Sequence, residues 1–228
     1  MRTLCKPGDS GGIHNLPVKR AFMTKIISWN LLRLTGATVH DVAGLVRRER
    51  PDLLLMQEAT EEMNELPEIL GGDYARCPLP GRIHGLAMWQ PTPFLAPPSI
   101  LKLQSGALVR RVAQIVDLGP FSVANVHLSH GQVLNRRQLN RIAQALPARA
   151  AVLGDYNLVG PTLVSGFHDV GPRRPTHIAA EIVPLRLDRC LVRGLHCVRS
   201  SVLPRENSDH HPIVVALEVV TARGALAA

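Results

Sequence analysis

Apolar positions along the chain follow two alternating rhythms. Lys25–Trp29 (KIISW) and Asp52–Gln57 (DLLLMQ) are nearly continuous apolar runs of strand length, and they end at Asn30 and Glu58. Between them, Val39, Val42, Ala43 and Val46 recur at helical spacing within Ala37–Arg50, and Pro51 stops that helix because it lacks the N–H the next turn needs. A short helix is expected over Glu61–Leu70. From Gly85 the rhythm changes: Gly85–Gln90, Ser99–Gln104, Arg110–Leu118 and Phe121–Leu128 read as successive strands separated by Pro and Gly, with antiparallel pairing expected. Val133–Leu146 returns to helical periodicity, with Leu134, Leu139, Ile142 and Leu146 inward and Arg136, Arg137 and Arg141 outward. Strands at Ala150–Leu153, Leu185–Val192, His196–Leu203 and Ile213–Val220 complete the pattern. With no repeat and no low-complexity linker, the pattern implies one α/β domain in which helices cover two packed sheets.

That domain is expected to span residues 23–222, with residues 1–22 as a loose N-terminal extension and 223–228 as a tail. The extension has no continuous apolar stretch of the kind a secretory signal carries, and no apolar run reaches bilayer length. A cytoplasmic location without a membrane span is therefore expected. Cys5, Cys77, Cys190 and Cys197 lack C-x-x-C spacing and read as reduced packing thiols. A zinc site from Cys190, His196 and Cys197 is disfavoured, because no second ligand pair accompanies them. The net charge of +8 comes mostly from Arg, whose planar fork suits phosphate, although solubility alone accounts equally well for such a balance.

Candidate chemistry sits where the apolar runs end: Asn30, Glu58, His127, Asp155 with Asn157, Asp188, and Asp209 with His210. A single Asn or Asp after a strand is ordinarily a turn former. Glu58 is different, because it ends the most apolar strand and a buried carboxylate needs a cation. A basic side chain would serve; a hard divalent ion such as Mg²⁺, which prefers oxygen ligands, is the favoured reading. Asp155 and Asn157 follow the run Ala150–Leu153 two residues apart, a spacing that turns both side chains to one side of extended backbone. His127 and His210, with Asp188 to fix a tautomer, are suited to acid, base or phosphate-binding work.

The motifs SWN (Ser28–Asn30), QE (Gln57–Glu58), NVHLS (Asn125–Ser129), GDYN (Gly154–Asn157), LDRCL (Leu187–Leu191) and SDHHP (Ser208–Pro212) together resemble the endonuclease/exonuclease/phosphatase superfamily, the deoxyribonuclease I-like and exonuclease III-like fold. The resemblance runs in family order from Met23 to about Val220. It implies a four-layer αββα sandwich of two packed mixed sheets flanked by helices, with the site at one end of the sheets. It implies Glu58 as principal metal ligand, Asn30 beside it and Asp209 as a further candidate. Asp155 would orient or activate the attacking water, Asn157 would hold the phosphate, and His210, oriented by Asp188, would be the base or the electrostatic partner of the scissile phosphate.

The same resemblance implies a hydrolase using Mg²⁺, or Mn²⁺, on a phosphodiester, foremost a nuclease on DNA or RNA. The alternative is a phosphohydrolase of lipid head groups or small phosphoesters. Its partner is then a phosphate-ester substrate, nucleic acid first, with no obligate protein partner implied. His127 stands where abasic-site endonucleases of this superfamily carry Tyr, which disfavours abasic-site repair. Between Asp73 and Asp117 the chain offers no acid to pair with His127, only His84, so direct phosphate binding is the role expected of His127. His177, with Arg173 and Arg174, falls on the loop between the GDYN and LDRCL segments, where substrate would pass. His211 is secondary.

Overall fold

The computed structural model describes residues 23–105, 110–180 and 182–220. The expected N-terminal extension, Cys5 and the tail lie outside the described residues. In chain order the elements are β1 (Thr24–Asn30), α1 (Val39–Glu49), β2 (Leu53–Ala59), a 3-10 turn (Glu61–Glu65) running into α2 (Leu66–Leu70), β3 (Asp73–Pro78), β4 (Gly85–Gln90), β5 (Ser99–Lys102), β6 (Val112–Asp117), β7 (Ser122–His127), α3 (Gln132–Ala145), β8 (Ala150–Asp155), β9 (His168–Asp169), β10 (His177–Ala179), β11 (Val183–Leu185), β12 (Asp188–Arg193), β13 (Leu195–Val202) and β14 (Ile213–Val219).

Two mixed six-stranded sheets form, one in the order β13-β14-β1-β2-β4-β3 and the other β5-β6-β7-β8-β12-β9. Each has a single parallel pair at its centre, β1 with β2 and β7 with β8, and antiparallel neighbours elsewhere. Parallel central strands bring their C-terminal ends to the same rim. That is why the polar residues ending the apolar runs meet.

The continuous apolar runs are explained by burial on both faces. On β2, Leu53 and Leu55 face the core between the sheets, where they meet Val123, Ala151 and Leu153 of the other sheet, while Leu54 and Met56 face α1. On the second sheet, Ala124, Val126 and Val152 face outward and pack under Leu139 and Ile142 of α3. The layers are therefore helix, sheet, sheet, helix, as the resemblance implied. α1 starts with a Thr38–Asp41 capping box, which satisfies its first backbone donors, and closes with Arg47 and Arg48 near its C-terminal carbonyls.

One buried polar link ties the sheets together near the rim. Asn125 of β7 donates to the Met56 and Ala87 carbonyls of the opposite sheet, each at 3.0 Å, and accepts from Gln57 Nε2 at 2.8 Å. Gln57 also donates to Ser28 Oγ at 3.0 Å. A buried amide that satisfies two foreign carbonyls fixes the register of the two sheets, because slipping would leave those groups unpaired.

Several expectations need correction. The stretch Leu185–Val192 is not one strand: it breaks at Arg186 and Leu187, where the Leu187 and Asp188 N–H groups both donate to Thr176 Oγ1 and Arg186 turns away to pair with Asp169. Glu61–Leu70 divides into a 3-10 turn and a single α-turn, with Pro67 in the first turn of the latter. Strands β3, β9 and β10 had no sequence signal. On α3, Leu134 is only half-buried, whereas Asn135 and Gln138 are fully buried.

Candidate active site

The rim of the second sheet is built by register. Asp155 ends β8, with His127 of β7 directly beside it on one side and Asp188 of β12 on the other. Gly154 makes this possible: its φ is +143°, and a Cβ there would lie 1.9 Å from the Val126 carbonyl oxygen. Only glycine lets β8 lie so close to β7 immediately before Asp155. After Asp155 the chain turns sharply. Asn157 takes a left-handed φ of +48°, its N–H bonds Asp155 Oδ1 at 2.8 Å, and its amide donates to the Leu128 carbonyl at 3.1 Å.

The first sheet supplies the opposite wall. Asn30 ends β1 and donates from Nδ2 to Asp155 Oδ2 at 3.0 Å, across the gap between the sheets. Glu58 sits at a bulge in β2, in left-handed backbone at φ +57°, which swings its side chain out of the ladder and into the cleft. Its Oε2 pairs with Arg33 Nη1 at 3.1 Å and accepts the Arg33 N–H at 3.3 Å. Thus a basic side chain does accompany Glu58. Arg33 is exposed, so this partner can yield to a better one.

His210 precedes β14 and is held from three directions. Its N–H bonds Ser208 Oγ, Ser208 Oγ donates to the Asn30 carbonyl, and the Trp29 indole donates to the His210 carbonyl. Its Nδ1 lies 2.8 Å from Asp188 Oδ2, and its Nε2 lies 3.8 Å from Asp155 Oδ2. The His177 ring leans on it at 4.3 Å between centroids, with His177 Nδ1 3.7 Å from Asp209.

The electrostatics separate the two central histidines. Burial pushes His127 down to about 3 despite the nearby Asp155 carboxylate, and the charge of Arg111 adds to the depression, so the ring is neutral at physiological pH. Burial also acts to lower His210, but Asp188, by charge and hydrogen bond, together with Asp155 and Asp209, raises it to about 10. His210 is therefore an imidazolium at neutral pH. Burial works against the Asp155 carboxylate, yet His127, His210, the Asn157 N–H and the Asn30 amide hold it below the usual range. Asp188, fully enclosed, is shifted upward by burial even though His210 opposes this.

Because the folded-state value of His210 lies above its unfolded value near 6.5, its stabilising contribution is complete below that pH and is lost as pH rises through about 10. The expected kcat/KM profile is flat through neutrality with an alkaline fall near that value. In Asp188→Asn the fall should move toward neutral pH. A pH profile of both proteins checks this, and an unshifted alkaline limb in the variant would contradict it.

Asn30, Glu58, His127, Asp155, Asn157, His177, Asp209 and His210 all line one cleft of about 460 Å³. Asp188 lies behind His210 and acts through it. Arg173 and Arg174 do not line the cleft; they line a separate groove with Asp169, Gly171 and Ser200, four residues or fewer from His177 along the chain. Arg33, Arg111 and His130 also line the cleft and had no sequence signal. His84, near the place expected for a partner of His127, is buried and lowered by burial against the opposing charge of Glu58.

Two clusters among the described residues could hold a metal ion: His177, Asp209 and His210, and Asp155, Asp188 and His210. Glu58 belongs to neither. It offers a single carboxylate to the cleft that Asn30 also lines, a donor set that suits a hard cation keeping most of its waters. Cys190 is enclosed between the sheets and His196 is exposed on β13, paired with Glu218, so no zinc cluster forms from Cys190, His196 and Cys197 among the described residues.

The sequence profile of the Endonuclease/Exonuclease/phosphatase family matches residues 27–210. Among solved structures, an endonuclease/exonuclease/phosphatase family protein from Bacteroides thetaiotaomicron superposes with a TM-score of 0.70 at 18% identity, covering 89% of this chain and 100% of that one. TDP2 of D. rerio, complexed with single-strand DNA product, gives a TM-score of 0.69 at 16% identity, covering 86% and 99%. ANGEL2, a 2′,3′-cyclic phosphatase in complex with adenosine-2′,3′-vanadate, gives 0.61 at 13%, covering 87% and 96%. At such identities the likeness is one of fold. The sequence matches none of the curated proteins compared with it.

Proposed function

Since the chain belongs to the Endonuclease/Exonuclease/phosphatase family and is a phosphoesterase of that family, we propose that it is a divalent-metal-dependent phosphodiesterase that cuts nucleic acid by direct attack of water. The observation that carries this reading is the convergence of Asn30, Glu58, His127, Asp155, Asn157 and His210 on one cleft from both sheets. The net charge of +8 supports a polyanionic substrate, as does the DNA product held by the D. rerio neighbour. Three free cysteines among the described residues fit a cytoplasmic setting, where thiols stay reduced. No helix among the described residues is long and apolar enough to cross a membrane.

In this reading Glu58 and Asn30 would hold Mg²⁺, which would supply charge neutralisation at the phosphoryl group. Asp155 orients the water and receives its proton as the new P–O bond forms and the P–O bond to the leaving group breaks, the departing oxyanion taking its proton from solvent water. Asn157, whose backbone is fixed by Asp155, presents its amide beside the phosphoryl oxygens. His210, kept cationic by Asp188, offsets the negative charge that grows on those oxygens in the transition state. His127, kept neutral, donates an N–H and has no proton to release to the leaving group at neutral pH. Departure of a poor leaving group therefore relies on other groups.

Glu58→Gln is expected to raise the Mg²⁺ concentration for half-maximal activity by about 10- to 100-fold, since a charged ligand becomes a neutral one. Titration of Mg²⁺ against plasmid DNA, RNA and bis-p-nitrophenyl phosphate checks this and identifies the substrate. Cleavage of DNA or RNA that weakens with salt, beside constant turnover of the small ester, supports the nucleic-acid reading. The second reading, a phosphohydrolase of small phosphoesters, is favoured by the 2′,3′-cyclic phosphatase among the structural neighbours. It predicts turnover of the small ester with DNA and RNA untouched.

A further inference from the structure

Arg111 immediately precedes β6 and stands in the cleft wall with Glu58, His127 and Asp155 at only 8% exposure. Its Nε makes no hydrogen bond among the described residues, and its guanidinium enters no ion pair among them. The carboxylates near it are already engaged. Glu58 is paired with Arg33, and Asp155 accepts from the Asn30 amide and the Asn157 N–H, with His127 Nε2 3.4 Å away. Both act on Arg111 through their charge without bonding to it. A guanidinium cannot shed its proton to escape such a setting, and an enclosed charge without a partner is costly. A planar fork of donors lining an open cleft is matched in shape by the oxygens of a phosphate.

We propose that Arg111 is a phosphate-binding residue, which holds the non-bridging oxygens of the substrate's phosphoryl group between the Glu58 and His127 walls of the cleft. The proposal rests on the phosphoesterase reading for its substrate and deepens it: the chain supplies a fixed cation at the place where His127, being neutral, supplies none. A group retained for its ligand and uncompensated without it carries a distinctive signature, since its removal relieves the empty protein and harms the bound one.

The test is thermal unfolding of wild type, Arg111→Met and Arg111→Lys, with and without inorganic phosphate, in Mg²⁺ and in EDTA. Wild type should gain in midpoint with phosphate. Arg111→Met should unfold at the same or a higher temperature than wild type when empty, and should lose the phosphate-induced gain. Arg111→Lys, which keeps the charge but not the fork, should bind phosphate about tenfold more weakly. A lowered midpoint in empty Arg111→Met with the phosphate gain intact would make Arg111 structural and overturn the proposal. Should Arg111→Met fail to fold, wild-type phosphate affinity in Arg111→Lys would overturn it equally. Failure of the enzymatic reading looks different: no phosphoester would be turned over by wild type, while phosphate binding would still depend on Arg111.

Discussion

Asp155→Asn is expected to reduce kcat by about 10³-fold while leaving the fold in place. The carboxylate is the hub of the site, accepting from the Asn30 amide at 3.0 Å and the Asn157 N–H at 2.8 Å, with His127 Nε2 3.4 Å and His210 Nε2 3.8 Å away. An amide of the same shape keeps the turn at Asn157 through its carbonyl oxygen but carries no charge. Two losses follow at once: the attacking water has no acceptor for its proton, and His210 loses one of the carboxylates that keep it cationic. Steady-state kinetics on bis-p-nitrophenyl phosphate, with near-UV circular dichroism as the control for folding, measures the effect. A variant within tenfold of wild type would exclude Asp155 from the chemistry.

The second large effect concerns Gly154, one residue earlier. Gly154→Ala places a methyl group 1.9 Å from the Val126 carbonyl oxygen and within 3.0 Å of the Val126 carbonyl carbon and backbone nitrogen. These are atoms of a central strand, which cannot rotate aside as a side chain can. The backbone at φ +143° is itself closed to an L side chain. Relief requires β7 and β8 to separate where their parallel ladder is buried on both faces. The combined cost of overpacking and strain is about 3–5 kcal/mol, large against the 5–15 kcal/mol that ordinarily separates folded from unfolded chains. Equilibrium denaturation should show a midpoint lowered by roughly 10 °C or more, or an insoluble product. Full stability in this variant would mean that the two strands are not in such close contact.

These two residues also mark what was legible in the chain. The central strands β1, β2, β7, β8 and β14 announced themselves as continuous apolar runs because both of their faces are covered, and the polar residues at the ends of the first four, with His210 ahead of β14, line one cleft. β3 gave no such signal. Its side chains are half-buried on an edge, so Asp73, Arg76 and Cys77 mix polarity without alternation. Strands as brief as β9 and β10 exist only because partners elsewhere complete them. On α3 the apolar spacing did not mark Asn135 and Gln138, which are buried all the same. Asn135 donates to the Ser129 and Tyr156 carbonyls, while Gln138 accepts the Ser129 N–H and donates to Ser129 Oγ. Together they anchor the loop that follows His127. Arg33 and Arg111 were indistinguishable in sequence from other basic residues, since nothing local separates an arginine aimed into a cleft from one in solvent.

The hydrogen bonds that define the site cross from one sheet to the other: Asn30 to Asp155, and His210 to Asp188. Neither wall of the cleft is complete on its own layer. The spacing of the reactive groups is consequently a dimension of the protein's interior, fixed by how Ile26 and Leu55 interlock with Val123 and Leu153 between the sheets, two to four residues before the site residues on the same strands. A methylene gained or lost in that filling changes the width of the jaws, so turnover can be tuned, or spoiled, by substitutions that touch neither substrate nor solvent.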